Sequence, residues 1–457
     1  MKDCKLIIES QRKMFHTGIT KDISFRLDML GQLKDSIERY EKDIIDALYK
    51  DFKKSAFETY ETEIGVTLQE INYFIENLEK WTKPKNVKTP IFHFPAKSKI
   101  YKEPYGVVFI IAPWNYPFQL TLSPLIGAIA AGNCGIITVS QKVSNISEVL
   151  NKIILESFNE DYIKFIPGGS SISKEILNEK LDYIFFTGST SVGKSIMKIA
   201  SENLTPITLE LGGKSPTIVD IDVDIPLAAK RIIWGKFINA GQTCIAPDYI
   251  LVQRDIKDEL INEMKKYIVE FYGQNPKESE DYPRIINKDQ YDRLSKLLLN
   301  GNILHGGRTD EGELYIEPTL IDNITWEDEI MKEEIFGPIL PILEYENIYD
   351  VIETVNTYPK PLALYLFTDN EDTEEKIIEN ISYGGGCIND TILHLSSPYL
   401  PFGGVGNSGM GRYHGKESFN TFTHEKSVFK NSKILDLKFR YPPYTKSELN
   451  LIRKFLK

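Results

Sequence analysis

One cysteine of this chain lies in a segment whose neighbours suit a reactive thiol. Residues 237–249, FINAGQTCIAPDY, surround Cys244 with small, polar and loop-forming residues. A thiol that attacks a carbonyl carbon needs an open face and a route to its thiolate, and Gly241 and Pro247 let the backbone bend sharply around it. The alternative is a cysteine that packs as a small buried hydrophobe, because free cysteine is among the most buried residue types. We therefore treat Cys244 as a candidate nucleophile.

Two upstream segments supply groups that such a thiol would require. IAPWNYPF at 111–118 contains Asn115, and LELGGKSP at 209–216 contains Glu210 beside apolar residues and a glycine pair. A side-chain amide can donate to a developing oxyanion, and a partly buried carboxylate with a raised pKa can act as a general base. Taken alone, Asn115 could be a turn residue and Glu210 a solvated carboxylate. The three segments together favour attack of a thiol on a carbonyl carbon.

Together these segments resemble the aldehyde dehydrogenase superfamily, most closely its class 3 branch of fatty and aromatic aldehyde dehydrogenases. The resemblance runs from DFKKS at 51–55 to YHGKESFNTFTH, which ends at His424. CIAPDY at 244–249, LPFGGVGNSGMG at 400–411 and RYPPY at 440–444 are typical of that branch. The resemblance implies NAD(P)-dependent oxidation of medium- or long-chain aliphatic or aromatic aldehydes to carboxylic acids, through a cysteine thiohemiacetal and thioester.

The resemblance also implies a role for each residue of the site. Cys244 would be the nucleophile, Asn115 and the Cys244 N–H the oxyanion donors, and Glu210 the general base for water. NAD or NADP would contact Gly188, Ser189 and Gly193, with Glu334 at the nicotinamide ribose and Phe336 beside the nicotinamide ring. The residues implied at an apolar substrate entrance are Tyr116, Trp234, Ile238 and Ile392.

The segment FTGSTSVG at 186–193 fits a phosphate site on its own residues. It follows a predicted strand and opens a predicted helix at about Val192, which places backbone N–H groups where a pyrophosphate would sit. A Ser/Thr-rich turn that only caps the helix is the alternative. Upstream, Thr138 and Gln141 stand where the family usually has a lysine and a glutamate that meet the adenosine ribose. The preference between NAD and NADP is therefore open.

Length and composition indicate a globular protein of two or three domains. The chain has 457 residues, of which 42% are hydrophobic and 26% charged, near the averages of folded domains. A net charge of −11 argues against a nucleic-acid partner. Four widely spaced cysteines without metal-ligand spacing argue against a disulfide framework or a metal site. The N-terminus does not read as a secretory signal and we identify no transmembrane anchor, so we expect a cytoplasmic protein.

Strand and helix patterns alternate along the chain and predict an α/β fold. We expect a doubly wound parallel-sheet cofactor domain, a second α/β catalytic domain and a small oligomerisation hairpin or arm. The first sheet is predicted from apolar runs at 107–111, 135–139, 163–166 and 183–186. The second sheet is predicted from runs at 216–219, 249–252, 339–343, 362–367 and 386–389.

The predicted regions follow from this pattern and from the resemblance. Residues 1–209 would form the dinucleotide-binding domain, with the basic, proline-bearing segment 83–103 as an extended oligomerisation hairpin. Residues 210–395 would form the catalytic domain, and 396–457 would complete the cofactor and oligomerisation regions. The resemblance implies a homodimer.

The C-terminal segment Ser432 to Lys457 is basic and able to form an amphipathic helix. Docking of that helix on the chain is the first interpretation, and weak contact with a membrane surface is the other. The apolar face would be formed by Leu449, Leu451, Ile452, Phe455 and Leu456.

Two other functions compete with the dehydrogenase. One is a coenzyme A-dependent or otherwise specialised aldehyde oxidoreductase, and the other is a non-catalytic binding relative whose cofactor site has eroded at Thr138 and Gln141. The presence of Glu210 weighs against the first, because a thiol rather than water resolves the thioester in such relatives. The intact set of Asn115, Glu210 and Cys244 argues against the second.

Overall fold

The computed structural model describes residues 4–436 and 440–455 of the chain. Its helices are α1 Cys4–Thr17, α2 Ile23–Arg39, α3 Glu41–Phe52, α4 Ala56–Thr59, α5 Gly65–Thr82, α6 Gln119–Ala131, α7 Ser144–Ser157, α8 Ser170–Leu177, α9 Thr190–Glu202, α10 Ile225–Phe237, α11 Lys257–Tyr272, α12 Lys288–Leu297, α13 Glu329–Lys332, α14 Ile348–Thr357, α15 Glu371–Asn380, α16 Lys416–Thr421 and α17 Lys446–Phe455. Its strands are β1 Lys85–Val87, β2 Lys97–Pro104, β3 Val107–Ala112, β4 Cys134–Val139, β5 Ile163–Phe165, β6 Tyr183–Gly188, β7 Ile207–Leu211, β8 Pro216–Val219, β9 Tyr249–Gln253, β10 Asn302–His305, β11 Thr309–Asp310, β12 Tyr315–Ile316, β13 Thr319–Asp322, β14 Ile339–Tyr345, β15 Ala363–Phe367, β16 Gly385–Ile388, β17 Gly409–Met410 and β18 Thr423–Lys430.

Helices α1 to α5 form a layer that fixes the start of the first sheet. In α2, apolar residues at helical spacing such as Leu30 and Leu33 are fully buried. Arg26 on the same helix is also buried, and its guanidinium donates a hydrogen bond to the Ala130 carbonyl oxygen near the end of α6 (3.1 Å). The helical layer therefore holds α6, which begins just after Asn115.

The first sheet has six strands in the order β17-β7-β6-β3-β4-β5, and β3 to β7 are parallel. β3 and β4 are buried along almost their whole length, as expected for strands covered on both faces. The chain runs from β3 outward to β5 and then returns to the other side of β3 with β6 and β7. This reversal confirms the doubly wound sheet and leaves a crevice outside the carboxyl ends of β3 and β6, where such sheets bind ligands.

The second sheet has seven strands in the order β10-β13-β14-β9-β8-β15-β16, all parallel except β10. The five runs predicted for this sheet are all strands, and their predicted ends differ from the observed ends by at most two residues. β7, β10 and β13 were not predicted. In β7 a glutamate interrupts the apolar run ITLEL, so its pattern does not mark a buried strand.

The predicted hairpin at 83–103 is present as β1 and β2, which pair antiparallel. A third strand, β18, pairs with β2 over eight residues, from Thr423 opposite Pro104 to Lys430 opposite Lys97. The small sheet thus joins the segment before β3 to the segment after α16, and β18 is largely exposed at its edge.

The C-terminal segment forms a helix as predicted, but the helix does not dock on this chain. Leu449 and Leu451 of α17 are 48% and 39% exposed, so the expectation of a docked apolar face is wrong for the described residues. Leu456, which was expected on the same face, lies outside them. Within the ranges that the structure describes, every helix is too short or too polar to cross a membrane.

Candidate active site

A large cavity opens at the carboxyl ends of the first sheet. Ala112, Gly188 and Leu211, the last residues of β3, β6 and β7, line one side of it, and the turn that carries Cys244 lines the other. The cavity volume is about 1180 Å³. Single-ligand pockets are usually about 300–1,000 Å³. The cavity is therefore large enough for two ligands at once.

Cys244 follows an irregular turn between α10 and β9. Asn239 and Gly241 have φ angles of 52° and 73°, in the left-handed region. A Cβ at Gly241 would lie 2.3 Å from the carbonyl oxygen of Gly337, so glycine is required there. Gln242 is fully buried, and its side chain makes three hydrogen bonds to backbone groups. The thiol is partly exposed, within this buried turn, and lines the cavity.

Asn115 lies in the loop between β3 and α6 and is tied to the cysteine turn. Its Nδ2 donates a hydrogen bond to the carbonyl oxygen of Gln242 at 3.1 Å. Because an amide nitrogen carries two hydrogens, the second remains for the cavity that Asn115 lines together with Cys244. The hydroxyl of Tyr116 is hydrogen-bonded to Thr243 Oγ1 at 2.7 Å. Two adjacent residues of one loop thus hold the residues just before Cys244.

Glu210, on β7, is a buried carboxylate without a hydrogen-bond partner among the described residues. Its side chain is 2% exposed, and burial raises its pKa well above the usual value. Burial, together with the negative charges of Glu334 and Glu210, raises the pKa of Cys244 to about 12. A raised pKa suits a general base, but it leaves the thiol of the free protein unactivated.

Glu334 and Phe336, in the loop before β14, line the cavity with Cys244. Glu334 lies against the backbone at Gly212, where a Cβ would be 2.0 Å from its Oε2, and burial raises its pKa to about 8. The Phe336 ring meets Trp114 edge to face, with a centroid distance of 5.3 Å. These contacts place a carboxylate and an aromatic face beside the cysteine.

The residues at the end of β6 and in the first turn of α9 have different surroundings. Gly188 and Ser189 line the cavity at the start of α9, which begins one residue after Ser189, two residues earlier than predicted. Gly193 does not line it. A Cβ at Gly193 would lie 2.7 Å from Cδ2 of Leu211, so this glycine lets α9 pack against β7. This packing explains the glycine, and the predicted contact between Gly193 and the cofactor stays a prediction.

Polar groups at the β4 end of the cavity fit a nucleotide. Thr138 Oγ1 is buried without a hydrogen-bond partner among the described residues, and both Thr138 and Gln141 line the cavity. A Cβ at Gly169 would lie 2.0 Å from Nε2 of Gln141, so the Gln141 amide occupies the space beside this glycine. Ribose and phosphate oxygens would accept hydrogen bonds from the Thr138 hydroxyl and from the backbone N–H groups in the first turn of α9. The residues present therefore fit NAD or NADP.

A lysine that the sequence did not single out lines the same part of the cavity. Lys142 Nζ lies 5.4 Å from the ring centroid of Trp114. Burial lowers the pKa of Lys142 and Arg293 lowers it further, although Asp289 raises it. Among the described residues no carboxylate forms a salt bridge with it. The cation that the family has at position 138 is absent, but a different one stands four residues later.

The four predicted substrate residues, Tyr116, Trp234, Ile238 and Ile392, all line the cavity. Other side chains of the same wall come from segments far apart in the chain, so no local pattern marked them as substrate contacts. These are Val66, Leu120, Leu395, Phe402 and Tyr413.

Comparison with protein families agrees with this geometry. The model of the aldehyde dehydrogenase family matches residues 1–428. The chain belongs to the aldehyde dehydrogenase family. As an aldehyde dehydrogenase it oxidises aldehydes to carboxylic acids with NAD or NADP.

Relatives of this aldehyde dehydrogenase cover nearly its whole length. It is 53% identical over 448 residues to the 4,4'-diaponeurosporen-aldehyde dehydrogenase of Staphylococcus aureus, covering 98% of this chain and 97% of the relative. It is 43% identical to the dimeric NADP-preferring aldehyde dehydrogenase of dog, covering 96% and 97%. The solved substrate-bound S. aureus AldH has a TM-score of 0.98 at 52% identity, with 100% of both chains covered. Other relatives belong to aldehyde dehydrogenase family 3, which confirms the class 3 resemblance.

Proposed function

We propose that Cys244 is the nucleophile, Asn115 an oxyanion donor and Glu210 the general base of this aldehyde dehydrogenase. One observation carries the proposal: all three side chains line one cavity, although they come from the loop after β3, from β7 and from the turn before β9. Glu210 lies near enough to Cys244 for its charge to raise the pKa of the thiol.

The Cys244 thiol loses its proton to solvent, and attack by Sγ then forms a C–S bond to the aldehyde carbon while the π electrons of the carbonyl group move onto the aldehyde oxygen as negative charge. The free hydrogen on Asn115 Nδ2 and the backbone N–H of Cys244 would donate to that oxygen. Gln242 holds the amide by its other hydrogen, so the donor is oriented before the reaction. Each such donor contributes about 3 kcal/mol to the stability of a comparable transition state.

When bound, the cofactor would supply a hydride acceptor, which converts the thiohemiacetal to the thioester, and a positive charge near the cysteine. Glu334 and Phe336, which line the cavity near Cys244, would hold that end of the cofactor, and Gly188 and Ser189 would hold its phosphates. Glu210 then takes a proton from the water that attacks the thioester carbon, and Cys244 leaves as the thiol sulfur. The buried, unpartnered carboxylate has the raised pKa that this step requires.

Three substitutions test these roles by the absorbance of reduced cofactor at 340 nm. We expect Cys244→Ala to be inactive and Asn115→Ala to lose at least about 100-fold in kcat. Glu210→Gln should release about one equivalent of reduced cofactor in a burst and then turn over slowly, because hydride transfer precedes hydrolysis. Cys387→Ala, a partly buried cysteine away from the cavity, is the matched control. Activity in Cys244→Ala would refute the assignment of the nucleophile.

We propose long, apolar aldehydes, aliphatic or conjugated, as the substrates. The wall of the cavity around the four substrate residues is apolar, and its cationic lining residues, Lys142 and Lys174, lie at the nucleotide end. Among the described residues of the apolar wall, no lysine or arginine is therefore placed to hold a carboxylate on the substrate. The S. aureus relative named for 4,4'-diaponeurosporenal supports the same class.

A series of n-alkanals from four to fourteen carbons tests the substrate class. Each buried CH₂ contributes about 0.8 kcal/mol, so kcat/KM should rise about fourfold per added carbon until the apolar wall is filled. A semialdehyde that carries a carboxylate should be far poorer than the alkanal of equal length. A flat series, or a preference for the semialdehyde, would contradict the proposal.

For the whole molecule we propose a cytoplasmic homodimer built from the regions predicted above. The 1–209 region would carry the cofactor, 210–395 the catalytic cysteine, and 396–457 would complete both the cofactor region and the oligomerisation sheet. Support comes from the dog relative, whose name describes it as dimeric. Two exposed apolar residues support it as well: Phe429 on the small sheet and Ile91 in the connection between β1 and β2.

A further inference from the structure

A buried group of charges lies directly behind the catalytic loops. Lys54 and Glu63 are both 0% exposed, and Lys54 Nζ lies 2.7 Å from Glu63 Oε1. Removing two charges from water costs free energy, and the attraction between them does not always offset that cost. Stability alone therefore does not explain why the pair is buried. Glu63 belongs to a π-helical turn, Tyr60–Ile64, and turns of this kind are frequent at functional sites. The surroundings of the pair indicate what it holds.

The second carboxylate oxygen of Glu63 contacts the loop that carries Asn115. Oε2 accepts hydrogen bonds from the backbone N–H groups of Phe118 (2.8 Å) and Gln119 (3.3 Å). These N–H groups lie at the start of α6 and have no partner within the helix, and the carboxylate also complements the positive end of the helix dipole. Lys54 Nζ, at the other side of the pair, lies 4.5 Å from the ring centroid of Tyr116.

A second buried carboxylate, Glu58 on α4, holds the turn before Cys244. Its Oε1 accepts a hydrogen bond from the backbone N–H of Asn239 at 2.8 Å. Asn239 is in the left-handed region, and its Nδ2 donates to the carbonyl oxygens of Asn115 (2.9 Å) and Gln242 (3.1 Å). Asn115 in turn donates to the same Gln242 carbonyl. The turn and the loop therefore meet at one carbonyl oxygen.

Resting on the catalytic roles proposed above, we infer that Lys54, Glu58 and Glu63 form a positioning clamp that sets the Asn115 amide against Cys244. The segment 54–63 holds the Asn115 loop through Glu63 and the cysteine turn through Glu58. The clamp residues do not line the cavity and do not touch substrate or cofactor. They act on the reaction through Asn115, so their loss should lower kcat and leave the affinity for NAD unchanged.

A double-mutant cycle tests this coupling. Glu58→Ala removes the acceptor for Asn239 N–H, Glu58→Gln keeps it, and Asn239→Gly keeps the left-handed backbone but deletes the bridge to Asn115. Each substitution is made in the native protein and in the Asn115→Ala variant. The matched control is Glu79→Ala, on the exposed face of α5. The readouts are kcat, KM, the Kd of NAD by protein fluorescence, and the melting temperature.

We expect Glu58→Ala and Asn239→Gly to lower kcat about tenfold in the native protein and less than twofold in Asn115→Ala, with the Kd of NAD unchanged. Glu58→Gln should restore kcat to within threefold. Equal losses in both backgrounds would overturn the clamp, because its effect would then not pass through Asn115. If Glu58→Ala does not fold, Asn239→Gly tests the same link.

The cycle also separates this inference from the proposed function. If Asn115→Ala alone has no effect on kcat, the oxyanion role of Asn115 fails, and the clamp has no catalytic group to position. If Asn115→Ala is impaired but Glu58→Ala and Asn239→Gly are not, only the clamp fails.

Discussion

Cys244 and Glu210 share a cavity in which burial opposes charge on both side chains. The pKa of the thiol is raised to about 12, first by burial and then by the carboxylates of Glu334 and Glu210. The resting enzyme therefore holds a neutral thiol, and nucleophilic attack depends on a change in its surroundings. A positive nicotinamide in the cavity would supply such a change, because an opposite charge nearby favours the thiolate. Protonation of the cysteine thus links reactivity to cofactor binding.

Alkylation of the thiol tests this residue-scale prediction. Below its pKa the thiolate fraction rises tenfold per pH unit, so inactivation of the free enzyme by iodoacetamide should rise about tenfold per unit from pH 7 to 9, without a plateau. Saturating NAD should accelerate inactivation at pH 7. The rate is followed by residual activity, with Cys387→Ala as the control for the other partly exposed thiol. A plateau below pH 8 in the free enzyme would contradict the raised pKa.

Lys142 carries a second prediction at the residue scale, about the choice of cofactor. It is an exposed cation that lines the cavity, and the neutral Gln141 beside it would not repel a phosphate. We expect NADP to bind with a Kd within tenfold of that of NAD. Lys142→Gln should weaken NADP about three- to tenfold and NAD less than twofold, as measured by protein fluorescence. Lys164→Gln, on the edge strand β5, is the matched control, and equal weakening of both nucleotides would refute the prediction.

Secondary-structure elements position the site mainly through their ends. β3, β6 and β7 deliver Asn115, Ser189 and Glu210 to one edge of the first sheet, because parallel strands all end at the same edge. The cysteine arrives from the other side, on a turn whose left-handed residues let the chain reverse between α10 and β9. The geometry of that turn decides whether the nucleophile faces the amide.

Substitution of Gly241 tests the turn at the element scale. Gly241→Ala must accept both a φ of 73° and a Cβ that would lie 2.3 Å from the Gly337 carbonyl oxygen. Gly18→Ala is the matched control, because Gly18 has a φ of 81° but nothing within 4 Å of its Cβ position. We expect Gly18→Ala to cost about 1–2 kcal/mol in the free energy of unfolding, from the left-handed backbone alone.

Gly241→Ala should cost clearly more than that and should abolish activity in whatever fraction folds. Urea unfolding of both variants gives the comparison. Equal free energies of unfolding would show that the contact with Gly337 does not restrict residue 241.

At the scale of the whole molecule, the small sheet of β1, β2 and β18 connects distant parts of the chain and leaves apolar residues uncovered. Ile91 is 82% exposed and Phe429 is 48% exposed. Exposed apolar side chains on a small sheet and on the connection between two of its strands are typical of a surface that is covered by a partner. In the homodimer proposed above, that partner is a second copy of this chain.

The oligomeric state tests that prediction. The chain mass is 52.3 kDa, so light scattering after gel filtration should give about 105 kDa. Ile91→Asp with Phe429→Asp should shift the mass toward that of one chain. Leu204→Asp, at a side chain that is 89% exposed between α9 and β7, is the matched control and should leave the dimer intact. A native mass of about 52 kDa would refute the dimer.

The sequence by itself determined the chemistry and the fold class. Cys244, Asn115 and Glu210 each lie in a long local motif, and strand and helix patterns are also local, so both can be predicted without contacts between distant residues. Only the tertiary structure showed what Gly193 packs against, because Gly193 lies on α9 and its close neighbour Leu211 lies on β7. The same holds for the buried clamp of Lys54, Glu58 and Glu63.

In the sequence, the three clamp residues Lys54, Glu58 and Glu63 look like surface charges, because charged residues are usually solvated. Their burial, and their hydrogen bonds to loops more than fifty residues away, exist only after the helical layer packs against both sheets. Lys142 is a further example: its side chain lines a cavity that no single segment forms. Local sequence patterns thus predict which residues take part in the reaction. Packing between distant segments determines the protonation state and the orientation of their side chains.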